Sequence, residues 1–394
     1  MVTTVLMLTG MQGAEFGKWE FNGFVEAETR IFPESPLASP QFETFDASLA
    51  LEPELYRNWE SRDLAFTLKP FFRFDAQDEQ RTHFDLRELL LHKSANAWEL
   101  KLGVSKVFWG VTESNHLIDV INQTDLVENI DLEEKLGQPM LNFTWLTDFG
   151  TWDAFYLPFF RERTFPGVDG RLRPVPAVDT DNPIYESDLS QWHPDFSLRW
   201  AHVLGEFDLG LSYFYGTSRD PLYQLDIRPG NAPVFQPIYN LMHQAGLDVQ
   251  WTHDSWLWKL EGLYRSGLGQ HFQAAVGGFE YTFYGLFNSD LDLGVLTEYN
   301  YDSRGNQAIT PFNHDLFAGA RLTLNDTQDT ALLAGGFYDT ENSSSSLRLE
   351  IARRLGSDYT VALEGQYFIH TDREDFTWFF QKDSFLLLSL RHYW

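Results

Sequence analysis

The sequence predicts an all-β fold, a closed transmembrane antiparallel up-and-down β-barrel of about 18 strands, with about 16 as the smaller alternative. Three observations predict it. Apolar and polar residues alternate with period two in run after run. From residue 140 onwards, tight and long connections between those runs take turns. The last run, Ser384 to Trp394, places Leu386, Leu388, Leu390 and the aromatic Trp394 on one face.

The alternation starts at Lys18. Trp19, Phe21, Val25, Ala27 and Ile31 fall in one phase, and Lys18, Glu20, Asn22, Glu26, Glu28 and Arg30 in the other, with Phe24 the exception. In a barrel wall, successive side chains point to lipid and to lumen, so this sorting is what a strand between the two requires. It recurs at Leu64 to Phe74, Trp98 to Val104, Phe207 to Tyr215, Trp256 to Tyr264, Leu291 to Tyr299 and Tyr359 to Ile369. The expected strands begin near residues 18, 42, 63, 82, 97, 140, 151, 194, 206, 239, 255, 271, 290, 314, 329, 346, 358 and 383. An even count puts both termini on the periplasmic side.

The connections sort by length. Thr147 to Gly150, Gly205-Glu206, His253-Asp254, Asn288 to Asp290, Asn325 to Gln328 and Gly356-Ser357 are tight and rich in turn residues. The stretches 107–139, 161–193, 217–238, 302–313 and 370–382 are long. Outer-membrane barrels carry short periplasmic turns and long extracellular loops.

Composition agrees. No stretch reaches the roughly 18 apolar residues of a membrane helix, and mean hydropathy is −0.31. Aromatic residues make up 16 % of the 394, enough for belts at both membrane interfaces. Cysteine is absent, which excludes thiolate metal sites and cysteine nucleophiles. The net charge of −28 excludes a nucleic-acid partner, which demands Lys and Arg, and suits divalent cations, cationic solutes or solvated loops. Residues 1–14 read as the remnant of a secretory signal: Val2 to Leu8 is apolar and Ala14 is small, although no Lys or Arg precedes them. Residues 15–394 then form a single barrel domain.

One stretch goes beyond pattern. Phe108-Trp109-Gly110 follows a strand, Asp119, Asn122 and Asp125 occupy the next loop, Leu136-Gly137-Gln138-Pro139 opens a strand, and Tyr156 to Phe160 closes its partner. Lys106 to Phe165 thus resembles porin-like and alginate-export-like outer-membrane barrels. The resemblance implies a long loop placed where it narrows the lumen. The acidic balance departs from the basic lumen of an alginate exporter, so that substrate is not carried over.

Loop 107–139 is the candidate constriction. It holds Glu113, Asp119, Asp125, Glu128, Asp131, Glu133 and Glu134 against Lys135 alone. Leu117, Ile118, Ile121 and Leu126 have mixed helical spacing, which predicts a short helix anchoring the loop to the wall. Carboxylates facing the lumen would favour cations. Loop 161–193 is split by charge: Arg161, Arg163, Arg171 and Arg173 come first, and Asp179, Asp181, Glu186 and Asp188 follow. Arginines facing carboxylates across a pore would orient dipolar solutes, unless they pair with each other or with the acids of 107–139. Arg73, Lys101, Arg199, Lys259, Glu261, Arg265, Glu298 and Arg321 fall on the polar phase and are expected to line the pore wall. Leu390 and Trp394 are expected to form the assembly signal.

These features predict an outer-membrane channel for passive diffusion of small hydrophilic solutes in a Gram-negative bacterium. The alternatives are a selective transporter of aromatic or amphipathic compounds, or a barrel plugged by its own loops. The expected partners are outer-membrane lipid and lipopolysaccharide, the barrel-assembly machinery and small solutes, with an oligomer compatible. Neither a catalytic constellation nor metal spacing among the histidines is present, so no enzyme, metal or cofactor is expected.

Overall fold

The computed structural model describes residues 18–394 apart from 231 and 268–269. The expected signal remnant lies outside the described residues. In chain order the strands are β1 (Glu20–Ile31), β2 (Phe45–Trp59), β3 (Leu64–Asp75), β4 (His83–Ser94), β5 (Trp98–Ser105), β6 (Gln138–Thr147) and β7 (Gly150–Leu157). They continue as β8 (Ile184–Tyr185), β9 (Asp195–Leu204), β10 (Phe207–Thr217), β11 (Leu222–Asp226), β12 (Val234–Tyr239), β13 (Leu241–His253) and β14 (Trp256–Gly267). The last are β15 (Gln270–Phe283), β16 (Asp292–Asp302), β17 (Asp315–Thr323), β18 (Ala331–Asp339), β19 (Ser345–Leu355), β20 (Tyr359–His370) and β21 (Phe385–Tyr393).

Eighteen of these form one antiparallel sheet in which each strand pairs with the next. β21 pairs back with β1, from Ile31↔Leu386 to Phe24↔Tyr393, and closes the wall. Closure leaves no strand edge unpaired, the condition for β-structure to cross lipid. Each expected segment corresponds to one wall strand, the two less sharply patterned near 42 and 82 included. Two-residue turns join β9 to β10 and β13 to β14; Gly205 supplies one of them in the left-handed region, at φ 66°.

Register sorts the faces. Trp258 and Leu260 remain 42 % and 43 % exposed on the outside of β14, while Glu261 between their phases is fully buried within the barrel. Leu49, Phe72, Phe143, Leu211, Val295 and Leu388 are likewise exposed, and Glu28, Arg73, Arg199 and Glu298 are buried. An apolar band outside and charges inside suit hydrocarbon on one side and a polar lumen on the other. Aromatic contacts mark the short-turn end, where Trp19 meets Trp59 at 6.0 Å and Phe207 stacks on Trp251 at 5.6 Å. At the long-loop end Tyr215 meets His243 at 4.7 Å and Tyr301 meets His314 at 5.2 Å.

The remaining strands, β8, β11 and β12, form a small separate sheet in the long connections. Residues 107–137 hold no helix, contrary to the spacing of their apolar residues. Asp119 and Asn122 instead turn their side chains back to the Val107, Trp109 and Gly110 amides, a local alternative to helix. Ile118, Val120 and Ile121 still bury an apolar side, packed with Trp109 against Met140, Phe155, Leu157, Phe214 and Met242 of the wall. Each such side chain contributes roughly 1.5–3 kcal/mol.

Candidate functional site

Loop 107–139 enters the barrel between β5 and β6 and crosses it. Asn122 ties its root: its carbonyl accepts the Val107 amide at 2.8 Å, and its amide donates to the Ser105 and Leu136 carbonyls, both at 2.8 Å. The Asp119 carboxylate accepts the Trp109 and Gly110 amides at 2.7 and 3.1 Å, which folds 109–119 into a compact lobe.

That lobe is fastened to β14, β16 and β17. One Glu261 oxygen accepts the Val111 and Thr112 amides at 2.6 and 2.9 Å and the Thr112 hydroxyl at 2.7 Å; the other accepts the Ile118 amide at 3.1 Å. Glu298 accepts the Glu113 amide at 2.8 Å and the Ser114 amide at 2.7 Å. The Glu113 carboxylate meets Arg321 at 2.7 Å and lies 3.9 Å from Lys259.

The second lobe is fastened to the strands on either side of the seam. Glu128 takes the Arg73 guanidinium at 2.7–3.0 Å, and its backbone carbonyl accepts from Arg30 at 2.6 Å. Asp125 meets Arg87 at 2.7 Å, and Asp131 meets Arg348 at 2.8 Å. Burial opposes ionisation of Glu128, but Arg73, Arg81 and Arg87 outweigh it and hold its pKa below the usual range. Most acids of the loop therefore face arginines rather than open water. His83, Asp125 and Glu128 converge closely enough to hold a cation, but Arg87 and Arg73 already engage those carboxylates.

The arginines of 161–173 find partners outside both acidic runs. Arg161 meets Asp85 at 2.8 Å, Arg163 meets Asp220 at 2.7 Å and Arg171 meets Asp383 at 2.6 Å. Arg173 donates to the Val168 and Pro174 carbonyls at 2.6 and 2.9 Å. Asp220 also takes Arg265 at 2.7 Å; burial opposes its ionisation, yet the two guanidiniums hold its pKa well below the usual carboxylate range. Arg199 of β9 is bidentate to Asp248 at 2.6 and 2.8 Å and lies over the Trp109 ring. Lys101 is half-buried on the inner phase of β5. Leu390 is exposed on the outer face of β21, and the Trp394 amide donates to the Gly23 carbonyl at 3.2 Å beside the seam.

Several contributors were not singled out from sequence. Glu28 and Arg81 form a buried ion pair, Arg73 meets Glu28 at 2.9 Å, and Asp75 meets Arg81 at 2.8 Å. Of these, Arg73 was among the expected pore-wall residues, and Glu28 sits on the polar phase of β1. Arg81 lies in the connection between β3 and β4 and Asp220 in the long connection 217–238, both outside the alternating runs.

No family model and no curated protein matches the chain. Among solved structures, Pseudomonas putida OprB shares 11 % identity over 96 % of this chain and 94 % of its own, with a TM-score of 0.47. OmpT of Vibrio cholerae, in its trimer form, shares 11 % over 96 % and 100 %, at 0.45. A mutant porin of Rh. blastica shares 11 % over 96 % and 100 %, at 0.46. By its own closed wall of 18 antiparallel strands and its apolar outer face, the chain is a transmembrane β-barrel.

Proposed function

We propose that this barrel is a channel for passive diffusion of small hydrophilic solutes, its lumen narrowed by loop 107–139. The observation that supports the reading is the double fastening of the loop: Glu261 and Glu298 hold one lobe, and Arg73 and Arg348 the other. A wall of 18 strands encloses an aqueous lumen, and a segment braced across it leaves a narrower path. Glu113, Asp119, Asp125, Glu128, Asp131, Arg161, Arg163, Arg171 and Arg173 are the proposed constriction and solute-contacting groups. Because most are paired with opposite charge, the path favours polar and dipolar solutes over one sign of ion. The partners in this reading are outer-membrane lipid, lipopolysaccharide and the assembly machinery that reads Leu390 and Trp394.

Planar-bilayer recording tests it. Folded wild-type protein gives small, uniform steps, and a variant lacking 113–134 gives larger ones. Equal steps from both would remove the constriction. No steps above background from either would remove the channel, and a silent wild type with a conducting deletion would identify a plugged barrel.

A second reading, a selective transporter of aromatic or amphipathic compounds, is favoured by one observation. Phe165, Tyr223, Phe235 and Phe379 meet edge to face in sequence, at 6.1–6.2 Å, above the inward loop.

A further inference from the structure

Between the inward loop and the long-loop mouth lies a cavity of about 530 Å³, a size that suits one small organic molecule. Its floor is the loop, and Phe165, Tyr223, Phe235 and Phe379 roof it. Those four rings come from three separate connections, so the roof is assembled by the fold rather than by one local run.

The floor holds an unusual cation. Lys135 is only 6 % exposed, and its ammonium makes a single long hydrogen bond, to the Thr124 hydroxyl at 3.4 Å. Among the described residues, no carboxylate lies within ion-pairing distance of it. Arg163 and Arg265, which line the same cavity, share the one carboxylate of Asp220, each at 2.7 Å. Asp119 and Glu133 also reach the floor: one Asp119 oxygen accepts the Trp109 and Gly110 amides while the other has no hydrogen-bond partner among the described residues, and Glu133 lies 3.3 Å from His116. The cavity lining carries Asp131, Asp302, Asp315, Glu374 and Asp375 as well as these cations, and Lys135 is the buried ammonium beneath the aromatic roof that no ion pair matches among the described residues. A buried ammonium with unused donors is costly. An entering carboxylate supplies the missing acceptor, and an attached ring buries apolar area against the roof.

We propose that this chamber binds small aromatic carboxylates, with the carboxylate on Lys135 and the ring against Phe165, Tyr223, Phe235 and Phe379. The proposal rests on the second reading above and names its solute class. Burial lowers the Lys135 pKa below the ordinary lysine value.

Isothermal titration of the folded full chain in detergent tests the site without requiring transport. The probes are benzoate, benzamide, acetate and benzylammonium. Benzoate is expected to bind about tenfold or more tighter than each of the others. Lys135→Met is expected to bring benzoate down to the level of benzamide, while Lys135→Arg keeps the preference for benzoate. Equal affinity of the wild type for benzoate and benzamide, or an unchanged benzoate affinity in Lys135→Met, overturns the proposal. If Lys135→Met fails to fold, Phe235→Ala in the outer hairpin decides: weaker benzoate binding supports the site, and unchanged binding overturns it. A barrel that binds benzoate but is silent in bilayers loses the channel reading and keeps the site. A conducting barrel with no benzoate preference loses only the site.

Discussion

Glu261 of β14 is joined twice to Thr112 of the inward loop, accepting from its amide at 2.9 Å and from its hydroxyl at 2.7 Å. Two more loop amides complete the carboxylate's set, and Glu261 is fully buried. Glu261→Ala therefore strands several donors at once, each at about 1–3 kcal/mol if it stays buried. The first lobe is expected to detach, with larger and noisier bilayer steps. Glu261→Gln keeps acceptor oxygen and should fall between. Unchanged steps in Glu261→Ala would separate the lobe from the conducting path.

Arg73 binds Glu128 of the loop and Glu28 of β1 at once. Arg73→Ala leaves buried carboxylates unmatched, a loss of roughly 3–5 kcal/mol. Arg353, paired with Asp326 on a partly exposed turn, is the control, and Arg353→Ala should cost about 0–1 kcal/mol. Urea unfolding of the two variants in lipid vesicles would show the contrast. Similar losses would place Arg73 outside the brace.

Leu260 and Lys259 are chain neighbours on opposite faces of β14. Leu260→Arg puts a charge into hydrocarbon and should cost about 2–4 kcal/mol near the midplane. Lys259→Arg keeps a cation toward the lumen and should fold as the wild type does. Folding yield in vesicles reads the difference, and equal yields would reverse the assignment of faces.

His116 lies 3.3 Å from Glu133 within the loop. Burial lowers its pKa, but the hydrogen bond and charge of Glu133 outweigh this, and the net shift is upward from 6.5. The folded state thus holds the proton more tightly than the unfolded chain. The stabilisation is fully present below the ordinary histidine value and is lost as pH rises through the raised one. Bilayer current should be quiet in mildly acid buffer and noisier in alkaline buffer. His116→Gln should flatten that dependence; a variant as pH-sensitive as the wild type would assign the effect elsewhere.

The wall was legible because hydrocarbon and water impose a period of two that short stretches such as Leu64 to Phe74 already display. The seam was legible in Leu386, Leu388 and Leu390. The cap sheet was not, since Ile184-Tyr185 and Leu222 to Asp226 are too short for alternation to register. The loop's apolar residues were read as a helix because spacing reports which side is buried, not which groups take the backbone amides. That Glu261 and Glu298 receive those amides depends on contacts about 150–185 residues apart, beyond any local pattern. Lys135 reads as the lone base of an acidic run, and that it forms no ion pair with those acids depends on tertiary contacts that spacing does not report.

The seam between β1 and β21 carries a consequence for biogenesis. Arg30 on β1 holds the Glu128 carbonyl, while Arg348 on β19 holds Asp131. These anchors face each other only once the last strand has met the first. An unclosed cylinder offers the segment no complete berth, so the brace and the closure of the ring support one another.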